Sequence, residues 1–302
     1  MIIGWNGACV PEQEAVVSVL DHGFLYGVGL FETFRTYGGE PFLLERHVER
    51  LQAGCRDAGI RLQLAPDKLR ADVRAVLAAN GLADGYVRYS VSAGVEPLGL
   101  PTGDYESPNT IIYAKPLPSA HSGATSAPPG KALYVLRTPR NTPEGEVRAK
   151  SFHYMNNILG KRELLARPDA ASGAEGLFLS AEGGYVAEGL VSNVLFVIGG
   201  KLCTPALATG ILPGITRAHV LELAQAAGIA TEEGLYTLDD MLTASEIMLS
   251  NSVQELTPVV AVRDVNGQEV WSASGGEASL VHRLAALYRS SVELYVAQAR
   301  GG

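Results

Sequence analysis

The chain of 302 residues is 47% apolar and 19% charged, and its 24 lysines and arginines against 32 aspartates and glutamates leave a formal charge of −8. This composition supports a packed core in one large or two ordinary domains and argues against disorder. The acidic balance, without a long basic run, argues against a nucleic-acid partner, because phosphate backbones call for clustered positive charge; a small anionic substrate needs only a few placed arginines.

Met1 to Trp5 reads as a strand, Asn6-Gly7 as a hairpin turn and Ala8 to Val10 as the returning strand. Gly29 to Tyr37 (GLFETFRTY) is aromatic and β-branched, and Gly38-Gly39 turns it into PFLL, a second hairpin. Helical spacing runs from Leu44 to Ala58, with Leu44, Val48, Leu51 and Cys55 on one face. Pro66 to Ala79 reads as another helix, with proline in its first turn and Asn80-Gly81 at its end. Strands follow at Gly85 to Ala93 and Thr110 to Ala114. The segment PLPSAHSGATSAPPG, residues 116–130, has no periodicity and reads as an interdomain linker.

Beyond it come a strand at Lys131 to Leu136, the polar loop RTPRNTPEGEVRAK and a helix over Met155 to Ala166. Strands are expected at Gly176 to Ser180, Tyr185 to Glu188, Asn193 to Ile198 and Lys201 to Thr204. ILPGITR opens a helix to about Ala227, followed by a short helix at Leu238 to Ala244, a strand at Glu246 to Leu249 and a terminal helix from Glu277 to Gln298. The expectation is an α+β chain: a smaller N-terminal domain over 1–115, the linker, and a larger C-terminal domain over 131–302 that contains Lys150. Cys9, Cys55 and Cys203 are too few and scattered for a disulfide framework or a zinc site, so no metal is expected. No apolar stretch approaches the ~20 residues that span a bilayer, and the N-terminus lacks a signal-peptide pattern. A cytoplasmic protein without a membrane partner follows.

Four local features carry chemistry. Lys150 stands in AKSFHYMNNILGKREL, where Phe152, His153 and Tyr154 can desolvate an amine, as imine chemistry requires. Glu188 ends an apolar strand in GGYVAEGLVSNVLFV, placed to accept a hydrogen bond from a protonated ring nitrogen. Gly210 to Arg217 (GILPGITR) brings backbone N–H groups and a threonine hydroxyl to a helix N-terminus, a seat for phosphate. Ser250-Asn251-Ser252 forms a small polar cluster after the apolar EIML. Each alone also reads as a solvated lysine, a strand-end acid, a loop-to-helix junction and a strand terminator.

In this order, and with DHGFLYGVGLFETFR and ERHVERL in the N-terminal half, the motifs resemble the fold-type IV enzymes dependent on pyridoxal 5′-phosphate (PLP), the branched-chain and D-amino-acid aminotransferase superfamily. The resemblance covers nearly the whole chain and implies a two-domain α+β fold like that of D-amino-acid aminotransferase. It implies that Lys150 binds PLP as a Schiff base, that Glu188 partners the pyridinium nitrogen and that Arg50 grips the cofactor phosphate. Ile215 and Thr216 match the phosphate loop, Asn251 and Ser252 the further phosphate contacts, and Tyr154 lies beside the cofactor.

The strings DHGFLYG, RNTPEG, KSFHYMNN, GKREL and LTASEIMLSNSVQEL, with GGEAS before the last helix, resemble bacterial 4-amino-4-deoxychorismate lyases within that superfamily. An Arg-x-His pair typical of D-amino-acid aminotransferases is replaced by Leu98 and Leu100, and the glycine-rich segment that follows the lysine in branched-chain aminotransferases is missing. The resemblance implies conversion of 4-amino-4-deoxychorismate to 4-aminobenzoate and pyruvate for folate synthesis, by aldimine formation, proton abstraction by Lys150 and pyruvate elimination. An aminotransferase of branched-chain or D-amino acids is the alternative. Lys150, Tyr154 and Thr33 are all candidates to protonate the departing enolpyruvate. For the substrate carboxylates the candidates are Arg88 and Arg35, each alternating with apolar neighbours on a strand, and Arg140 with Asn141 from the RNTPEG loop. His22 and His47 read as structural. A homodimer is implied by the resemblance.

Overall fold

The computed structural model describes residues 1–117, 130–170, 173–273 and 279–301, and the chain divides into two compact units. The first comprises Met1–Ser119, Ala149–His153 and Val292–Gly302, the second Ala120–Arg148 and Tyr154–Ser291.

In the first unit, β1 (Ile2–Trp5) and β2 (Ala8–Pro11) form the expected hairpin. Asn6 and Gly7 both adopt positive φ, 46° and 85°, which a tight two-residue turn between twisted strands requires. A single helical turn, α1 (His22–Tyr26), is capped by Asp21, whose Oδ1 accepts from the Gly23 N–H at 2.7 Å. Then come β3 (Gly29–Tyr37), β4 (Glu40–Pro41), α2 (Leu44–Asp57), α3 (Pro66–Ala79), β5 (Tyr86–Ser92) and β6 (Asn109–Lys115). The six strands pair antiparallel in the order β2-β1-β6-β5-β3-β4. α2 packs on β3, and α3 on β1 and β6. Alternate strand residues point to opposite faces, so Leu30, Phe34, Val87, Tyr89 and Val91 meet Leu44, Val48, Leu51, Leu69 and Val73 in one core. The register Phe31↔Ser90, Thr33↔Arg88 and Arg35↔Tyr86 sets the intervening side chains on the other face.

The second unit holds β7 (Lys131–Val135), α4 (Met155–Leu165), β8 (Glu175–Leu179), β9 (Val186–Gly189), β10 (Asn193–Ile198) and β11 (Lys201–Pro205). After a 3-10 turn at Leu207–Thr209 come α5 (Ile215–Ala226), β12 (Thr231–Gly234), α6 (Leu238–Leu242), β13 (Glu246–Asn251), β14 (Glu255–Arg263) and β15 (Glu269–Ser272). The long α7 (Leu280–Gly301) begins here, and its residues from Val292 belong to the first unit. Strand order is β12-β11-β10-β13-β14-β7-β8-β9, with β15 on β14, and the pairing of Asn193 with Glu188 closes the path from β10 through β9 on itself. Its core gathers Leu133, Leu177, Val186, Val194, Phe196, Ile247, Leu249 and Val262. Glu188, Asn193 and Ser250, partners across β9, β10 and β13, occupy the face opposite Val194 and Leu249.

Each unit combines a sheet with helices, the α+β arrangement that was expected. Four elements have no clear sequence signal. α1 is too short for periodicity, β12 (TEEG) lacks apolar residues, and β15 is four residues long. β14 contains Pro258, which reads as a breaker; it falls where the strand changes partners, pairing with β13 through Pro258 and with β7 from Val259. The assignment of Lys150 to the C-terminal domain is corrected. Ala149–His153 belong to the first unit, because Phe31 N–H donates to Lys150 O and Phe152 N–H to Gly29 O, each at 2.9 Å, so the segment pairs along β3. Most of the linker (118–129) and of GGEAS (275–278) lies outside the described residues. Among the described residues no helix is long and apolar enough to cross a membrane.

Candidate active site

In the first unit the β3–β5 register decides which side chains meet. Thr33, Arg35 and Arg88 share the sheet face turned away from α2 and α3. Phe31 anchors this face: the Arg88 guanidinium carbon lies 3.5 Å from its ring centroid and the Lys150 Nζ 4.7 Å. Arg88 Nε also donates to Ser90 Oγ at 3.1 Å, and Arg35 stacks over Tyr37 at 4.4 Å. Lys150, Thr33, Arg35 and Arg88 are thus brought onto one surface.

On the helix face of the same strand, Glu32 is almost fully buried. Arg50 Nε and Nη2 donate to its two carboxylate oxygens at 2.8 and 2.6 Å, and His47 Nδ1 lies 2.7 Å from Oε2. Burial opposes ionisation of Glu32, but Arg50 and His47 outweigh it and hold the carboxyl at about 2. Burial likewise keeps His47 below its ordinary value despite Glu32, so His47 is neutral and donates to a Glu32–Arg50 ion pair. A carboxyl depressed in the folded state contributes stability above its unfolded value of 4.5 and loses that contribution as pH falls toward about 2. Glu32→Gln is therefore expected to cost about 3 kcal/mol at neutral pH and to flatten the acid dependence below 4.5, measured by urea unfolding across pH; an unchanged acid limb contradicts the assignment. His47 fills the expected structural place, as does His22, which lies 3.0 Å from both Tyr105 OH and Pro97 O.

In the second unit Glu188 is buried and its carboxylate is held from both sides. Arg140 Nε donates to Oε1 at 2.8 Å, while Oε2 accepts from the Leu212 N–H at 3.0 Å and from Asn193 Nδ2 at 3.3 Å. Asn193 Nδ2 also donates to Leu212 O at 3.0 Å. The 212–216 turn therefore lies against this sheet face. Gly214 permits the approach, since a Cβ there would stand 1.9 Å from Asn193 Oδ1. Gly214 is the N-cap of α5, whose first N–H groups have no partner inside the helix. At that end the Thr216 and Ser252 hydroxyl oxygens are 3.1 Å apart, which joins two of the sequence candidates. Ile215 is the first residue of α5 and is buried, and Tyr154 is the N-cap of α4.

Two candidates are engaged differently from their sequence reading. Arg140 gives Nη1 to Asn156 Oδ1 at 2.8 Å besides its bond to Glu188, so its guanidinium backs Glu188. Asn251 Oδ1 accepts from the Val253 and Gln254 N–H groups at 3.0 and 2.8 Å, closing the turn that carries Ser252. Residues not singled out beforehand are Phe31, Glu32, Asn193 and Arg148; FETFR and VSNVLF contain three of them, but nothing local marks their partners.

A family model described as "Amino-transferase class IV" matches residues 29–262. The chain is 39% identical over 290 residues to an aminodeoxychorismate lyase of Bacillus subtilis, covering 95% of this chain and 94% of the relative. The solved 4-amino-4-deoxychorismate lyase of Pseudomonas aeruginosa superposes with a TM-score of 0.78 at 29% identity, covering 95% of this chain and 98% of that one. A branched-chain amino acid aminotransferase from T.th., complexed with N-(5′-phosphopyridoxyl)-L-glutamate, gives 0.79 at 29%, covering 96% and 93%. With its motifs in order and a family match over most of its length, the chain belongs to the class IV aminotransferase family.

Proposed function

We propose that the protein is a PLP-dependent lyase that converts 4-amino-4-deoxychorismate to 4-aminobenzoate and pyruvate. The observation that carries this reading is the sheet face on which the Lys150 amine, the Thr33 hydroxyl and the guanidinium groups of Arg35 and Arg88 stand together. A substrate with two carboxylates calls for cationic or strong hydrogen-bond donor groups beside the reacting amine. The name of the Bacillus subtilis relative supports the same choice.

The cofactor is pyridoxal 5′-phosphate, and the donor set fits it. A helix N-terminus with two hydroxyls suits a phosphate, and a buried carboxylate held by Arg140, Leu212 and Asn193 suits a protonated ring nitrogen. By the chain's likeness to its family, Lys150 would hold the cofactor covalently, Thr216, Ser252, the N–H of Ile215 and Arg50 would hold its phosphate, and Tyr154 would contact it. Asn251 shapes the Ser252 turn. When bound, PLP supplies an electron sink for the pair left at the substrate carbon that bears nitrogen. Once the substrate's amine has displaced it from the cofactor, Lys150 would be a free amine able to take the proton from that carbon, Arg35 and Arg88 would fix the carboxylates, and Thr33, on the same face, would supply a proton to the departing enolpyruvate oxygen. Glu188 keeps the proton on the ring nitrogen, and Arg140 keeps Glu188 in place. The active species is a homodimer, consistent with the exposed Phe24, Leu98 and Leu100 on α1 and the 95–101 segment of the first unit.

The test is incubation of the PLP-loaded protein with 4-amino-4-deoxychorismate and no amino acceptor. Equal yields of 4-aminobenzoate and pyruvate are expected. A branched-chain or D-amino-acid aminotransferase is the second reading, favoured by the likeness to the branched-chain aminotransferase fold. No 4-aminobenzoate together with rapid half-transamination of L-leucine or D-alanine establishes that reading and overturns the first.

A further inference from the structure

Arg148 lies in the polar loop before Lys150 and its side chain is buried. A guanidinium removed from water must have its donors matched by oxygen acceptors. The acceptors come from two separate segments of the second unit. Nε donates to Gly210 O, while Nη2 donates to Asn141 O and Nη1 to Asn141 Oδ1, the last at 3.3 Å.

Each of those segments also delivers one of the donors that hold Glu188. Arg140, the chain neighbour of Asn141, gives Nε to Glu188 Oε1 at 2.8 Å. Leu212, two residues after Gly210, gives its N–H to Glu188 Oε2 at 3.0 Å. The two networks share an atom, because Asn141 Oδ1 also accepts from Arg140 Nη1 at 3.3 Å. Burial, and next the charge of Arg140, push the Arg148 guanidinium down to about 10, which leaves it a cation at neutral pH. A lysine could supply the charge but not three donors in a planar fork.

We infer that Arg148 is a positioning residue for Glu188: by tying the 140–141 segment to the 210–212 segment, it fixes the two donors that aim the carboxylate at the cofactor's ring nitrogen. The inference rests on the assignment of Glu188 to that nitrogen proposed above. Arg148 hydrogen-bonds Asn141 and Gly210 and not Glu188 itself, so its effect is on where the carboxylate stands.

The test compares wild type, Glu188→Gln, Arg148→Met and Arg148→Lys as purified full-length proteins. Two quantities are read besides turnover: the affinity of the cofactor-free protein for PLP, and the pH midpoint of the visible band of bound PLP. Arg148→Met is expected to bind PLP about tenfold more weakly and to move the midpoint in the direction set by Glu188→Gln. Arg148→Lys is expected to show the same midpoint shift, and it carries the test alone if the methionine variant does not fold. Wild-type affinity and midpoint in the Arg148 variants, with only thermal stability lowered, would assign Arg148 to folding alone and overturn the inference. Identical midpoints in wild type and Glu188→Gln would instead remove the Glu188 assignment, and the inference with it.

Discussion

Replacing Lys150 with alanine is expected to abolish covalent retention of PLP and to lower turnover by about a thousandfold or more, because one substitution removes both the proposed attachment point and the proposed general base. The amine stands 4.7 Å over the Phe31 ring, on a segment pinned to β3 by the bonds of Phe31 N–H to Lys150 O and Phe152 N–H to Gly29 O. Those bonds involve only backbone, so alanine preserves them and the fold is expected to survive. Arg50, Thr216, Ser252 and Glu188 are untouched, and the variant should still bind PLP reversibly. Borohydride reduction followed by peptide mass analysis separates the two effects. The wild-type peptide containing Lys150 gains the cofactor's mass and the variant gains none. Cofactor fixed at another lysine, or wild-type turnover in the variant, refutes the assignment. A small primary amine added to the variant should restore part of the turnover, since the proton transfer needs an amine and not the lysine stem.

The sequence made most of the fold legible where one physical signal dominates. α3 spans Pro66–Ala79 because a proline opens it and Asn80-Gly81 ends it, and the buried stripe Leu44, Val48, Leu51 and Cys55 defines α2. β14 was illegible because a mid-strand proline is tolerated only through a change of partners that local sequence does not encode. The same limit governs the site. Arg50 is marked by the HVERL motif, but the burial of Glu32 between Arg50 and His47 depends on α2 lying over β3. Arg140 reads as an arginine in a polar loop, available to a substrate; only the folded second unit shows its Nε on Glu188. Arg148 has no local signal, because its acceptors are two carbonyls and an amide oxygen, groups available in any loop.

Glu188 carries the second large prediction, and two substitutions divide its roles. Glu188→Gln is expected to lower turnover by about ten- to a hundredfold, the equivalent of the ~1.5–3 kcal/mol that a hydrogen bond to a charged group contributes. Glutamine keeps one oxygen for Arg140 Nε, but its amide NH2 then faces the Leu212 N–H and the Asn193 Nδ2, donor against donor. Turning the amide over relieves that conflict only by setting the NH2 against Arg140. Either way the ring nitrogen loses a charged acceptor, so the proton on it is held less firmly while PLP remains attached at Lys150. Glu188→Ala goes further, leaving the buried Arg140 guanidinium without its anion, a loss of about 3–5 kcal/mol in stability. The expected pattern is therefore a glutamine variant with slowed turnover and a moderate loss of stability, and an alanine variant that is slow and less stable still, read by thermal unfolding beside kcat. If instead glutamine matches wild type in turnover and in the pH dependence of the bound cofactor's absorbance, Glu188 serves Arg140 and the loops around it, and the ring nitrogen takes its proton from elsewhere.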